Sequence, residues 1–142
     1  MTPIRGKILG VDYGAAKVGL AISSEDAGFV FGRGVVRRES DDKLVEHLKA
    51  LCLQENIISV VVGFPLNAKG EKGDAAKKVE ALAEKLRDHL KLPVILEDER
   101  MSTGLAKILQ REAGKKRMPD DEESARIILQ SYLDRIHHRQ PL

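Results

Sequence analysis

Hydrophobic and polar positions along this chain follow two periods, and the switches between them mark out the elements. Ile8-Leu9-Gly10-Val11 is a short unbroken apolar run, the pattern of a strand covered on both faces, and it stops at an acid, Asp12. A tight turn follows, in which Gly14 is expected at positive φ, and Val18 to Ile22 returns as a second strand. Phe29 to Val36 alternates loosely around Gly32 and Gly34, which predicts a third, antiparallel strand at a sheet edge, closed by Arg37 and Arg38. From Asp41 to Glu55 the period becomes helical: Leu44, Val45, Leu48, Leu51 and Cys52 share a face, with Ser40 placed to cap the first turn.

Ile57 to Gly63, IISVVVG, is too densely apolar for a half-exposed strand, so it is expected as a central parallel one. A polar, Gly-punctuated loop from Ala68 to Asp74 leads to a helix from Ala75 to Leu90, with Val79, Leu82, Ala83, Leu86 and Leu90 as its buried stripe. Pro93 to Leu96 begins a fifth strand that runs into Glu97-Asp98-Glu99-Arg100. Ser102 or Thr103 then caps a helix carrying Leu105, Ile108 and Leu109 and ending near Gly114, followed by the basic link Lys115 to Pro119. A last helix from Asp120 to His138 sets Ala125, Ile128, Leu129, Tyr132, Leu133 and Ile136 on one face. The order β-β-β-α-β-α-β-α-α is an antiparallel meander followed by alternating α/β units. It is the order of ribonuclease H-like folds, so an α/β fold with a five-stranded mixed sheet flanked by helices is expected.

Composition narrows the function classes. At 142 residues the whole chain, 1–142, is expected to form one domain with a real core. A net charge of +2 permits an anionic partner without demanding one, and the absence of Trp argues against a single-strand binder built on stacking platforms. The lone Cys52 falls on the apolar side of its helix and suits a reducing compartment. No 18-residue apolar run occurs and MTPIRGK leads straight into a strand, so a cytoplasmic protein with no membrane partner is expected.

The candidate chemistry is carried by acids at element ends. An unpaired carboxylate at the end of a strand as apolar as Ile8 to Val11 needs a cation or an opening to solvent; the alternative is an Asp that bonds its own turn. Glu97 and Glu99 project from one face of the fifth strand and its extension, and Asp98 from the other. Asp121 shares a stripe with Ala125, Ile128 and Tyr132, whereas Asp120 and Glu122 line up less well. If these acids converge they make a hard-cation site for Mg²⁺ or Mn²⁺, and two such ions about 4 Å apart can activate water against a phosphodiester. The spread of His47, His89, His137 and His138 offers no competing zinc cluster. Arg100 and Ser102 could hold a phosphate, and Lys17, Lys115, Lys116 and Arg117 a nucleic-acid backbone; a salt-bridged Arg and a solvated basic loop are the alternatives.

With GVDYG…KVGLAIS, VVGFPLN, EDERMST and SARIILQSYLD in this order, nearly the whole chain resembles the YqgF/RuvX family of Holliday-junction-resolvase-like proteins. The resemblance implies a ribonuclease H-like, metal-dependent nuclease that processes the 5′ end of precursor 16S ribosomal RNA, with junction or other branched-DNA cleavage as the rival assignment. It places the catalytic and metal-binding acids on Asp12, Glu99 and Asp121, leaving Asp120 or Glu122, and Glu97, as alternatives. Substrate contacts are then expected from Lys17, Asn67, Arg100, Ser102 and Thr103. The partner would be RNA, or branched or single-stranded DNA, handled by a monomer or a homodimer. Ala15-Ala16, Phe64 and Arg126 depart from the family pattern. Two other classes stay open at this stage: a nucleotide-binding module, for which the chain is short, and a catalytically silent nucleic-acid or ribosome-assembly scaffold.

Overall fold

Residues 6–100 and 120–139 are described in the structure, a computed structural model of the chain. Strands β1 (Lys7–Tyr13), β2 (Lys17–Ser23) and β3 (Val30–Arg37) form the meander. Helix α1 (Asp41–Glu55), β4 (Ile57–Phe64), α2 (Asp74–Leu90) and β5 (Val94–Asp98) follow, and α3 (Asp121–Arg139) comes last. The sheet order is β3-β2-β1-β4-β5. β2 runs antiparallel to both β1 and β3, while β4 runs parallel to both β1 and β5. The mixed five-stranded sheet expected from the element order is therefore present, with β3 at an edge and β4 inside. The helix expected after Ser102 and the basic link Lys115 to Pro119 lie outside the described residues.

Strand alternation sends side chains to two cores. Leu9, Val11, Val18, Leu20, Val60 and Val62 face one side, where Leu48 of α1 and Leu82 and Leu86 of α2 cover them. Ile8, Ala21 and Val61 face the other, where Ala125, Ile128, Leu129 and Leu133 of α3 pack. Sandwiching between two helical layers is why β1 and β4 read as continuous apolar runs. Cys52 is buried in the first core, and burial pushes its thiol up to about 11. Ser40 caps α1 as expected, its hydroxyl accepting from the Lys43 N–H at 3.2 Å. Asn56 and Lys91 end α1 and α2 in left-handed conformations, stops that periodicity does not reveal.

One expectation is corrected. Gly14 does not take a positive φ; among the described glycines that conformation falls at Gly34 and Gly70. The turn after Asp12 needs glycine for closeness instead. The Gly14 N–H donates to the Lys17 carbonyl at 3.0 Å, and a Cβ on Gly14 would stand 2.5 Å from that oxygen.

α3 is also fastened to the sheet by charge. Glu97 of β5 is 1% exposed and accepts from the Ser131 hydroxyl at 3.2 Å and from the Arg135 guanidinium, a pair that bridges β5 and α3. A buried carboxylate bound this way contributes only while its partner is charged and in place. Glu97→Gln is expected to lower stability by about 2–3 kcal/mol, read by urea denaturation, because a charge-assisted bond is lost while the volume is kept.

Candidate active site

Ile8 faces α3, so alternation along β1 sends Gly10 and Asp12 to that face as well. Asp12 pairs with Gly19 of β2, and on its other side β4 carries Gly63 one residue beyond Val62, the partner of Val11. The acid thus stands between two positions without side chains, and other elements occupy both. A Cβ on Gly19 would lie 1.8 Å from the Asp121 carbonyl oxygen, so the first turn of α3 rests directly on β2. A Cβ on Gly63 would lie 2.5 Å from Ile128 and 2.7 Å from Oε1 of Glu99, so Glu99 folds back over β4. Two glycines on either side of Asp12 let two acids from distant segments approach it.

The electrostatics follow from that placement. Burial, and then the nearby charge of Asp121, raises the Asp12 carboxyl to about 6. Glu99 is exposed as a residue, yet its carboxyl is set back among protein atoms. That burial, followed by the charges of Asp12 and Asp98, lifts its pKa above the usual carboxylate range. Asp12 is thus raised by Asp121 on one side and itself raises Glu99 on the other. None of the three carboxylates has an ion-pair partner among the described residues.

The neighbouring acids are committed elsewhere. Asp120 caps α3, its Oδ1 accepting from the Glu123 N–H at 2.7 Å. Glu122 reaches across to β3, where its carboxylate accepts from the Gly34 N–H and lies over Gly32. Glu97 is held by Arg135 and Ser131, and Asp98 by Arg100, which also draws the Asp98 carboxyl below its ordinary pKa. The alternatives that spacing left open thus have other partners; Asp121 is the acid whose charge raises Asp12, and Asp12 in turn raises Glu99.

All three groups are carboxylates, a set that would suit Mg²⁺ or Mn²⁺ rather than zinc, and a divalent cation would relieve the repulsion between Asp12 and Asp121. Among the described residues no three of His, Cys, Asp and Glu stand close enough together to share one ion. Asp12 is within electrostatic reach of Asp121 and of Glu99, but the three are not gathered into one coordination shell.

The remaining expected contacts are placed as follows. Lys17 is exposed at the start of β2, next to Arg37 of β3, without an ion pair among the described residues. Asn67 organises its own loop, its Oδ1 accepting from the Lys69 and Glu71 N–H groups, both at 2.9 Å. Arg100 is clamped by Asp98, with Nη2 2.8 Å from Oδ2, and reaches the Ala68 carbonyl at 3.4 Å. Ser102, Thr103, Lys115, Lys116 and Arg117 lie outside the described residues.

Periodicity missed a cluster beside the site. The Tyr13 hydroxyl donates to Asp41 Oδ1 at 2.5 Å, and Arg38 Nε is 2.9 Å from each of those oxygens, while the Arg38 N–H donates to the Ala16 carbonyl at 2.8 Å. These bonds tie the turn after Asp12 to the start of α1. The spacing of positions 13, 38 and 41 gives no hint of it; the Lys17–Arg37 pairing of β2 with β3 brings them together. Tyr13→Phe is expected to lower stability by about 1 kcal/mol in urea melts, since one hydroxyl bond goes and the ring stays.

Comparison with known proteins gives the arrangement a family. A "Putative pre-16S rRNA nuclease" of Maridesulfovibrio salexigens is 35% identical over 133 residues, covering 91% of this chain and 98% of that protein. A protein of the same name from Caldanaerobacter subterraneus subsp. tengcongensis is 36% identical, covering 90% and 96%. Thermus thermophilus RuvC in complex with a Holliday junction superposes with a TM-score of 0.61 at 14% identity, over 96% of this chain and 99% of that one. The fowlpox virus resolvase, also bound to junction DNA, gives 0.56 at 12% identity, over 92% and 98%. These two likenesses concern the fold, which is ribonuclease H-like. Residues 6–135 match the family described as RuvX, Holliday junction resolvase, and with relatives at this identity along almost its whole length the chain belongs to that family.

Proposed function

We propose that this protein is a metal-dependent nuclease of a single ribonuclease H-like domain, hydrolysing phosphodiester bonds at the 5′ end of precursor 16S ribosomal RNA. The observation that carries the reading is Asp12, set between Gly19 and Gly63, with Asp121 and Glu99 brought to either side of it. Asp12, Glu99 and Asp121 would hold Mg²⁺ or Mn²⁺. When bound, the metal supplies a water acidified enough to attack and a counter-charge for the leaving oxygen. The chain's part is to keep three carboxyl groups near one another at a sheet end and to hold the substrate backbone over them. Among the described residues, Lys17 is the cation without an ion pair nearest in sequence to Asp12. Arg100, Ser102, Thr103, Asn67 and the Lys115-Lys116-Arg117 run are the remaining proposed contacts. A cytoplasmic setting goes with such a substrate, and among the described residues no helix is long and apolar enough to cross a membrane.

The names of the curated relatives favour RNA, while the family description favours branched DNA as a second reading. Cleavage of end-labelled single-stranded RNA, single-stranded DNA, duplex and four-way junction separates them. Faster cutting of RNA supports the first reading, symmetric cutting of the junction supports the second, and silence on all four with binding intact leaves a scaffold.

Protons and metal compete for the same carboxylates. With Asp12 near 6 in the free protein, a cation must displace a proton below that pH. The rise in melting temperature on adding Mn²⁺ is expected to be full near pH 8 and to shrink as pH falls through about 6. A rise independent of pH across that range would place the metal elsewhere.

A further inference from the structure

A cleft of about 340 Å³ opens on the face of the sheet opposite Asp12, within the usual range of small-ligand sites, ~300–1,000 Å³. One wall is the turn after Asp12, through Tyr13 and Ala15, together with Arg38 just past β3; the other is α2, through Ala75, Lys78 and Ala81, with Asp41 at the start of α1 between them. The three α2 residues recur every third position, so they form one stripe of small side chains interrupted by a single cation. Asp41 is taken up by Tyr13 and Arg38, so its charge and that of Arg38 cancel. Lys78 makes no ion pair among the described residues, and neither do Lys77 beside it and Lys17 at the far end of the turn. The cleft therefore presents one net positive charge, a half-buried aromatic ring and alanine walls.

Resting on the nuclease reading of the Asp12 site, we infer that this cleft binds one nucleotide of the substrate strand beside the bond to be cut, Lys78 taking its phosphate and Tyr13 and the alanines its sugar and base. Asp12 and Tyr13 are consecutive at the end of β1 and point to opposite faces. A strand laid over that sheet end touches both. One cation beside one aromatic ring can hold a single nucleotide by its phosphate and its flat base, without the run of stacking aromatics that a longer single-strand platform needs.

The test is equilibrium binding of a short fluorescein-labelled single-stranded RNA, by anisotropy in EDTA, to the full chain as wild type, Lys78→Glu, Ala81→Phe and Lys49→Glu. Lys49 is exposed on α1 outside the cleft and controls for the same change in net charge. Lys78→Glu is expected to weaken binding about tenfold and to lower the salt slope by roughly 0.7, one phosphate contact on a single strand. Ala81→Phe, which fills the cleft, is expected to weaken binding several-fold without changing the slope, and Lys49→Glu to stay within about twofold of wild type. Wild-type affinity in both cleft variants, an equal loss in Lys49→Glu, or no binding by the wild type overturns the inference. EDTA removes metal-dependent cutting, so failure of the nuclease reading shows separately, as intact binding without cleavage in Mn²⁺.

Discussion

Asp12→Asn is expected to stop cleavage, by about a thousandfold or more, and at the same time to make the protein more stable at neutral pH. The loss amounts to about 4 kcal/mol of transition-state stabilisation and follows from removing the carboxylate that stands between the other two. The gain follows from the same placement. Burial and Asp121 raise Asp12 from 3.8 to about 6, so the folded protein holds this proton more tightly than the unfolded chain does. The stability that Asp12 contributes is then greatest below about pH 4 and falls as pH rises from about 4 to about 6. The full shift corresponds to about 3 kcal/mol, and because Asp12 is partly open to water we expect about 1–2 kcal/mol. Asparagine carries no charge, so the variant should lack this slope and be the more stable protein at pH 7. Urea melts from pH 4 to pH 8 read both curves. A variant less stable than wild type at pH 7 would mean that the Asp12 carboxylate is held by a favourable partner rather than crowded by acids.

Gly19→Ala is expected to cost about 4 kcal/mol and to remove activity from whatever remains folded. Its Cβ would sit 1.8 Å from the Asp121 carbonyl oxygen, a backbone atom that no rotamer change can move aside. Either α3 lifts from β2 or the sheet bends, and overpacking of this kind ranks among the largest single-residue effects. Asp121 rides on the displaced turn, so its carboxylate leaves Asp12. Gly73→Ala is the contrast. Gly73 precedes α2 in extended backbone, a Cβ there would meet nothing within 4 Å, and a loss below about 1 kcal/mol is expected. Melts and cleavage rates of both variants check the pair.

Much of this fold is legible in the chain because the apolar periods are long and unambiguous. IISVVVG has to be an inside strand, and the stripe Ala125, Ile128, Leu129, Leu133 has to lie on a sheet. The site is legible only to the level of faces. Parity puts Glu97 and Glu99 on the same side of β5, and only Arg135, 38 residues away, shows that one is a structural ion pair and the other is not. Four consecutive acids open the last helix, and their separate fates depend on partners elsewhere: Asp120 on its own helix end, Glu122 on Gly34 of β3, and Asp121 on the gap left by Gly19. Gly14 misleads because a turn glycine answers equally to an unusual φ or to a close carbonyl, and sequence does not separate the two. Arg100, read beside a phosphate, lies in a fork with Asp98 two residues before it, a local pairing that spacing permits but does not require.

The most direct measurement is single-turnover cleavage of end-labelled RNA carrying a 16S precursor 5′ end, in Mg²⁺, in Mn²⁺ and in EDTA, by wild type, Asp12→Asn, Glu99→Gln, Asp121→Asn and Glu97→Gln. Expected is cutting by wild type and by Glu97→Gln in metal only, with all three site variants slowed by at least about a hundredfold. Cutting in EDTA, or wild-type rates in Asp12→Asn, would contradict a metal-dependent site built on these acids.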